Sequence, residues 1–200
     1  MIPPSAINAR ANIDVLKRVG CTDIVSVSAV GSLREDLPPG ALVLDDQYID
    51  RTRQRPNSFF GAGLVAHVSM ADPVCPRLST FVQSAGDRAG AEIRPRATYL
   101  AMEGPQFSTR AESRLYRSWG CDIIGMTAMP EARLAREAEL PYADLCMVTD
   151  YDCWREDNAD VDVGAILAAM HANVARARQV ITELTKLLRE VPRTPSPIDT

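Results

Sequence analysis

Lysine is almost missing from this sequence. Lys17 and Lys186 are the only two, so arginine carries nearly all the positive charge, and the formal net charge is -4. No basic stripe is left to neutralise a run of phosphates, which excludes a nucleic-acid binder. Histidine is as scarce, at His67 and His171 alone. The five cysteines (Cys21, Cys75, Cys121, Cys146 and Cys153) are odd in number, widely spaced, and form neither CxxC nor Cys/His ligand spacing. That pattern argues against a disulfide framework and against a zinc site, and fits reduced thiols in a cytosolic enzyme. No metal and no cofactor is expected. There is no run of ~18 apolar residues to span a membrane. Met-Ile-Pro-Pro has no charged stretch leading into an apolar one, so no signal peptide is expected and the cytoplasm is the expected compartment. Gly-x-Gly-x-x-Gly, Walker and Gly-x-Ser-x-Gly motifs are all missing, which removes the common dinucleotide, nucleotide and serine-hydrolase readings.

What is present is a regular alternation of elements. With 200 residues and 46% hydrophobic content, one sizeable core can form. A helix is expected from an N-cap at Ser5, with Ile7, Ala11, Leu16 and Val19 leaning to one face and Gly20 as its stop. Strands are expected over 23–30, 41–45, 96–102, 122–126 and 143–149. Between them the pattern predicts helices over 77–89 and 109–119, and one from Pro130 as first residue to Ala138. The stretch from Gln47 to Asp72 has no period and reads as a long, functional loop region. Val163, Ile166, Leu167, Met170, Val174, Ala177, Ile181 and Leu184 mark the last helix. The order predicts an α/β fold, a mixed β-sheet flanked by helices in a single domain over 1–191, with a frayed tail over 192–200.

In such folds ligands lie beyond the carboxyl ends of the strands. Three strand ends carry polar or acidic groups: Ser28-Ala29 with Gly31-Ser32, Met126-Thr127, and Asp150-Tyr151-Asp152. Asp150 and Asp152 project to one side if the chain stays extended, and could receive an exocyclic amine and a ring nitrogen. They could equally be local caps of a turn. Ser28, Ala29 and Thr127 could together hold one phosphate, or serve as ordinary turn and cap residues. Phe107 could stack on a planar base or fill a core. His171 falls on a polar stretch and reads as solvated, while His67 is ambiguous.

Four longer segments bring in a family. Val27-Ser-Ala-Val-Gly-Ser-Leu-Arg34, Met102-Glu-Gly-Pro-Gln-Phe-Ser-Thr-Arg-Ala-Glu112, Gly125-Met-Thr-Ala-Met-Pro-Glu131 and Thr149-Asp-Tyr-Asp-Cys-Trp154 occur in this order, with Gln47–Thr52 and Arg55–Phe59 between. Together they resemble the trimeric purine nucleoside phosphorylases, in their methylthioadenosine branch, from about Pro4 to the last helix. The resemblance implies phosphorolysis of S-methyl-5′-thioadenosine, with inorganic phosphate as co-substrate, in a homotrimer. It implies Ser28, Ala29 and Thr127 as phosphate contacts, Met126 at the ribose, Phe107 against the base, Asp150 as general acid at N7, and Asp152 as acceptor from the 6-amino group. Branches specific for 6-oxopurines typically carry Asn where Asp150 stands and Glu where Ser108 stands, and carboxylates at both Asp150 and Asp152 favour an amino-substituted base. His67 resembles a residue lent by a neighbouring subunit to the 5′-pocket, with Val163 and Ile166 as its apolar walls.

Relatives usually begin with a strand and a glycine-rich phosphate loop, followed by an Arg-His pair, and this chain opens after them; Ala9 stands where they often have an aromatic. The resemblance therefore implies missing N-terminal strands, an exposed sheet edge, and weak or no phosphorolysis by the chain as given. A broader purine nucleoside or methylthioinosine phosphorylase, a nucleosidase using water, and an inactive nucleoside-binding fragment are the alternatives.

Overall fold

The protein is described by a computed structural model over residues 2–155 and 163–195. Five strands, β1 (Ile24–Ser32), β2 (Leu42–Asp50), β3 (Ile93–Ala101), β4 (Ile123–Gly125) and β5 (Tyr142–Asp150), alternate with five helices. The helices are α1 (Ala9–Arg18), α2 (Pro76–Ala89), α3 (Arg110–Ser118), α4 (Ala128–Glu137) and α5 (Val163–Glu190).

The α/β mixed sheet is as the sequence implies. The strands run β1-β4-β3-β2-β5 and close into a barrel. β1 pairs parallel with β5, β2 with β3 and β3 with β4, while β1–β4 and β2–β5 are antiparallel. Closure runs through the short β4, which pairs with β1 only at Gly31 and Ser32, so the rest of β1 has β5 as its one strand partner among the described residues, in line with the exposed edge expected for this chain. β5 is buried along its whole length except at Asp150, the sign of a strand covered on both faces. α5 packs on α2 and on β5, and α1 on α4.

Several boundaries differ from the sequence pattern for local reasons. α1 is capped by Asn8, whose side chain accepts from the Ala11 amide at 3.0 Å, and not by Ser5. Ser5 sits in a short 3-10 turn, Pro4–Ala6, that ends at an extended Ile7, so the helix must restart beyond it. β2 runs on to Asp50 because β3 continues to pair with it through two register shifts, at Val43/Asp45 and Asp45/Gln47. α4 contains a non-helical Met129 (φ -114°, ψ 136°), so regular helix proceeds from Pro130 as expected. None of the described helices is long and apolar enough to cross a membrane, and no disulfide joins the cysteines.

Candidate active site

Beyond the ends of β1, β4 and β5 lies a cavity of about 340 Å³. Ser28 and Ala29 of β1, Met126 and Thr127 at the β4–α4 junction, Asp150 and Asp152 past β5, Phe107 of the β3–α3 segment and Ile166 of α5 all line it. Residues nearly a hundred and forty positions apart in the chain thus meet in one place, because the parallel β1–β5 ladder sets Val30 against Val148 and, after a register shift, Gly31 against Asp150.

The acidic pair is held by its own turn. The Asp152 amide donates to Asp150 Oδ1 at 2.7 Å, so Asp150 is also the local cap that the turn reading proposed. Asp152 takes a left-handed conformation (φ 51°), uncommon for a residue with a side chain. Trp154, 7% exposed, anchors the turn: its indole donates to the Ser32 carbonyl at 2.8 Å, and the Arg117 guanidinium lies 3.6 Å from the ring centre. Gly31 allows the approach, since a Cβ there would stand 3.0 Å from Asp150 Oδ1 and 3.2 Å from Ile124.

Burial pushes the Asp150 carboxyl above its ordinary range, against the pull of Thr149 and the Asp152 amide. Asp152 is raised too, by burial first and by the charge of Asp150, with Ser113 and Ser108 opposing. Asp152 Oδ2 has no hydrogen-bond partner although it is buried. A proton inventory sharpens the picture for Asp150. The Thr149 hydroxyl lies 3.1 Å from the Val30 carbonyl, which can only accept, and 2.8 Å from Asp150 Oδ2. Its single proton is shared between these two acceptors, so the contact pulls against the burial that raises Asp150.

Other side chains depart from the implied roles. The Ser28 hydroxyl turns into the barrel and donates to both Asp144 oxygens, at 2.9 and 3.0 Å, so its proton does not face the cavity. Thr127 caps α4 without a side-chain capping bond and lies against the Tyr99 hydroxyl. Phe107 is 45% exposed at the mouth, on the surface and not in the core. Ser108 does not line the cavity; its carbonyl accepts from the Cys153 thiol at 3.2 Å, behind Asp152. His67 is exposed and away from the cavity, and His171 is solvated. The side chain of Val163 lies outside the described residues. Among the described residues, none that lines the cavity is cationic.

Arg55 was not picked out as a site residue by the sequence, although it stands in one of the family-like segments. Only 5% exposed, it donates to the carbonyls of Glu103 (2.7 Å), Met129 (2.6 Å), Met102 (3.2 Å) and Met126, tying the Phe107 segment to the Met126–Thr127 junction.

Comparison with known proteins follows the same lines. The pattern of the phosphorylase superfamily matches residues 1–186. The chain is 55% identical over 192 residues to the S-methyl-5′-thioadenosine phosphorylase of Rhodospirillum rubrum, covering 96% of this chain and 65% of that protein. It is 55% identical over 181 residues to that of Cereibacter sphaeroides, covering 90% and 62%. This chain therefore spans less than two thirds of the length of these relatives. A methylthioadenosine phosphorylase from an antarctic soil metagenomic library superposes with a TM-score of 0.92 at 48% identity, over 98% of this chain and 69% of that one. The Schistosoma mansoni methylthioadenosine phosphorylase solved with adenine gives 0.92 at 35% identity, over 96% and 74%.

Proposed function

Because this chain belongs to the phosphorylase superfamily, we propose that it carries the base- and ribose-binding part of a pentosyltransferase. The reaction is the phosphorolysis of S-methyl-5′-thioadenosine to adenine and 5-methylthioribose 1-phosphate. The observation that carries this reading is the acidic pair: Asp150, whose carboxyl burial pushes up, beside an Asp152 oxygen left without a partner. Asp150 donates a proton towards N7 as the glycosidic bond breaks, and Asp152 accepts from the 6-amino group, so a 6-oxo base would set a carbonyl against an acceptor. Phe107 covers the base, Met126 faces the ribose, and Ile166 forms the wall for the methylthio group. Ser108 shapes the base side by supporting Asp152.

Phosphate contacts come from the Ala29 and Thr127 region, with Ser28 contributing once its hydroxyl rotates from Asp144. With no cationic side chain among the described residues that line the cavity, phosphate affinity of this chain alone is expected to be low. His67, exposed on a loop far from its own cavity, fits the role of a residue lent to a neighbour in a homotrimer, and residues 1–191 act as one unit in the cytoplasm. The lack of a cation at the cavity also supports a second reading, a chain that binds adenine nucleosides without turning them over.

The deciding experiment is adenine release from methylthioadenosine by the purified chain, with and without phosphate. Phosphate-dependent release is expected, slow, and lost in Asp150→Asn. Phosphate-independent release would refute phosphorolysis, and tight nucleoside binding with no release would establish the second reading.

A further inference from the structure

The barrel interior holds a second concentration of reactive side chains, on the inner side of the wall that Ser28 shares with the cavity. The antiparallel β2–β5 register places Val43 opposite Cys146 and Leu44 opposite Leu145, so Asp45 falls beside Asp144. Asp144 and Cys146, two apart on one strand, point to the same face. The carboxylate oxygens of Asp45 and Asp144 and the sulfur of Cys146 lie within 4.8 Å of one another, all three side chains buried.

We propose that Asp45, Asp144 and Cys146 form a site for one divalent cation of the zinc class. Three observations carry it. The first is distance. For three atoms within 4.8 Å of each other, some point lies within ~2.8 Å of all of them, against bonds of ~2.3 Å for zinc–sulfur and ~2.0–2.2 Å for zinc–carboxylate. Shifts of about half an ångström to just under one close the difference. The second is an unmet demand. Asp45 is 1% exposed, yet neither of its oxygens has a hydrogen-bond partner, and the buried Tyr48 hydroxyl beside it has none either. Those oxygens lie against Asp144 and Cys146, with Tyr48 as the neighbouring hydroxyl. The third is charge. The side chains that chiefly act on these three groups are acids, hydroxyls and a thiol (Asp46, Tyr48, Ser26 and Ser28 among them), and none of those named is basic. Three buried acidic groups without a counter-charge are costly, and a bound cation supplies it.

The ligand set selects the metal. A thiolate favours zinc, cobalt or copper(I) over magnesium and calcium, which prefer all-oxygen sites. Binding displaces the Cys146 proton to solvent and leaves a thiolate–metal bond, with the fourth position open to water or the Tyr48 hydroxyl. An entry path exists: a cavity of about 470 Å³ between β2, β3 and α2 is lined by Asp45 itself, with Asp46, Gln47 and Asp72 at the same opening. Arg96 lines the same cavity and faces Asp46, so acids outnumber the one arginine at this opening among the described residues.

The test is cobalt titration of the full chain after chelator treatment. One cobalt per chain is expected, with a near-ultraviolet thiolate-to-cobalt charge-transfer band that zinc competes away. The band should vanish in Cys146→Ala and persist in Cys21→Ala and Cys153→Ala. Asp45→Asn, which keeps the thiol, should weaken cobalt affinity by at least about 100-fold. Absence of the band in the parent chain, or its survival in Cys146→Ala, overturns the assignment, as does unchanged affinity in Asp45→Asn. Circular dichroism of each apo variant separates lost binding from lost fold. None of these readings depends on adenine release.

Discussion

Replacing Arg55 by alanine is expected to damage both the stability of the chain and its nucleoside pocket. The guanidinium is nearly solvent-free and donates to four main-chain carbonyls, those of Met102, Glu103, Met126 and Met129, while Glu103 stands 3.5 Å from its Nε. A hydrogen bond to a charged group contributes ~1.5–3 kcal/mol, but four bonds to one group do not add, and water enters part of the space left behind. Removing one side of a buried ionic arrangement costs ~3–5 kcal/mol, which is the figure adopted for the whole substitution. At ~2–4 °C per kcal/mol for a domain of this size, the melting temperature falls by about 6–20 °C. The carbonyls belong to the two segments that carry Phe107 and Met126, so methylthioadenosine binding should weaken by at least about tenfold even at a temperature where the variant is folded. Arg55→Lys should recover only part of either loss, because an ammonium cannot reach four carbonyls in the guanidinium plane. Thermal melts and calorimetric titration on the three proteins decide it. A melting temperature within about 2 °C of the parent, with unchanged nucleoside affinity, would refute the reasoning.

Asp152→Asn should stabilise the chain, and more so at higher pH. The folded-state carboxyl is raised by burial, so its contribution to stability is complete below the ordinary carboxylate range and is lost as pH rises through the raised value. Melting curves across pH should therefore show a variant-minus-parent difference that grows from acid to neutral; a constant difference would contradict it. Gly125→Ala should cost about 1–3 kcal/mol through overpacking, since a Cβ there would lie 2.6 Å from Tyr99 Cζ and closer still to its hydroxyl. Adding Tyr99→Phe should recover part of that loss in a urea melt, and no recovery would place the strain elsewhere. Phe107→Ala, at an exposed rim position, should weaken adenine binding while leaving the melting temperature within about 1 °C, because exposed changes cost ~0.5 kcal/mol or less.

The strand ends were legible because their signals are local. A β-branched run that stops at Gly31-Ser32, or at Asp150-Tyr-Asp152, announces both the strand and the polar group at its end. Positions 28, 29, 126, 127, 150 and 152 could thus be gathered before any geometry was known. What resisted reading depends on relations between strands. Closure of the barrel is fixed by β2 pairing with both β3 and β5, and no single stretch encodes it. The inward turn of Ser28 depends on Asp144 standing on the neighbouring strand. The cysteine spacing argued against a metal because Cys146 meets Asp45 across a hundred residues of sequence. Arg55 looked like one of many loop arginines, since nothing in its neighbours announces that four carbonyls will surround it. Ser5 outranked Asn8 as a cap only because the Pro4–Ala6 turn was not anticipated.

The shifted ladder between β1 and β5 also works as a fixed ruler. Ser28 and Ala29 sit on one strand and Asp150 on the other, and the two are joined residue by residue up to the point where Gly31 meets Asp150. The span between the sugar-side end of the cavity and its base-side acid is therefore written into backbone hydrogen bonds and not into a loop. Substitutions at either end can retune which groups are welcomed there. They cannot lengthen the backbone spacing itself, which the paired strands fix.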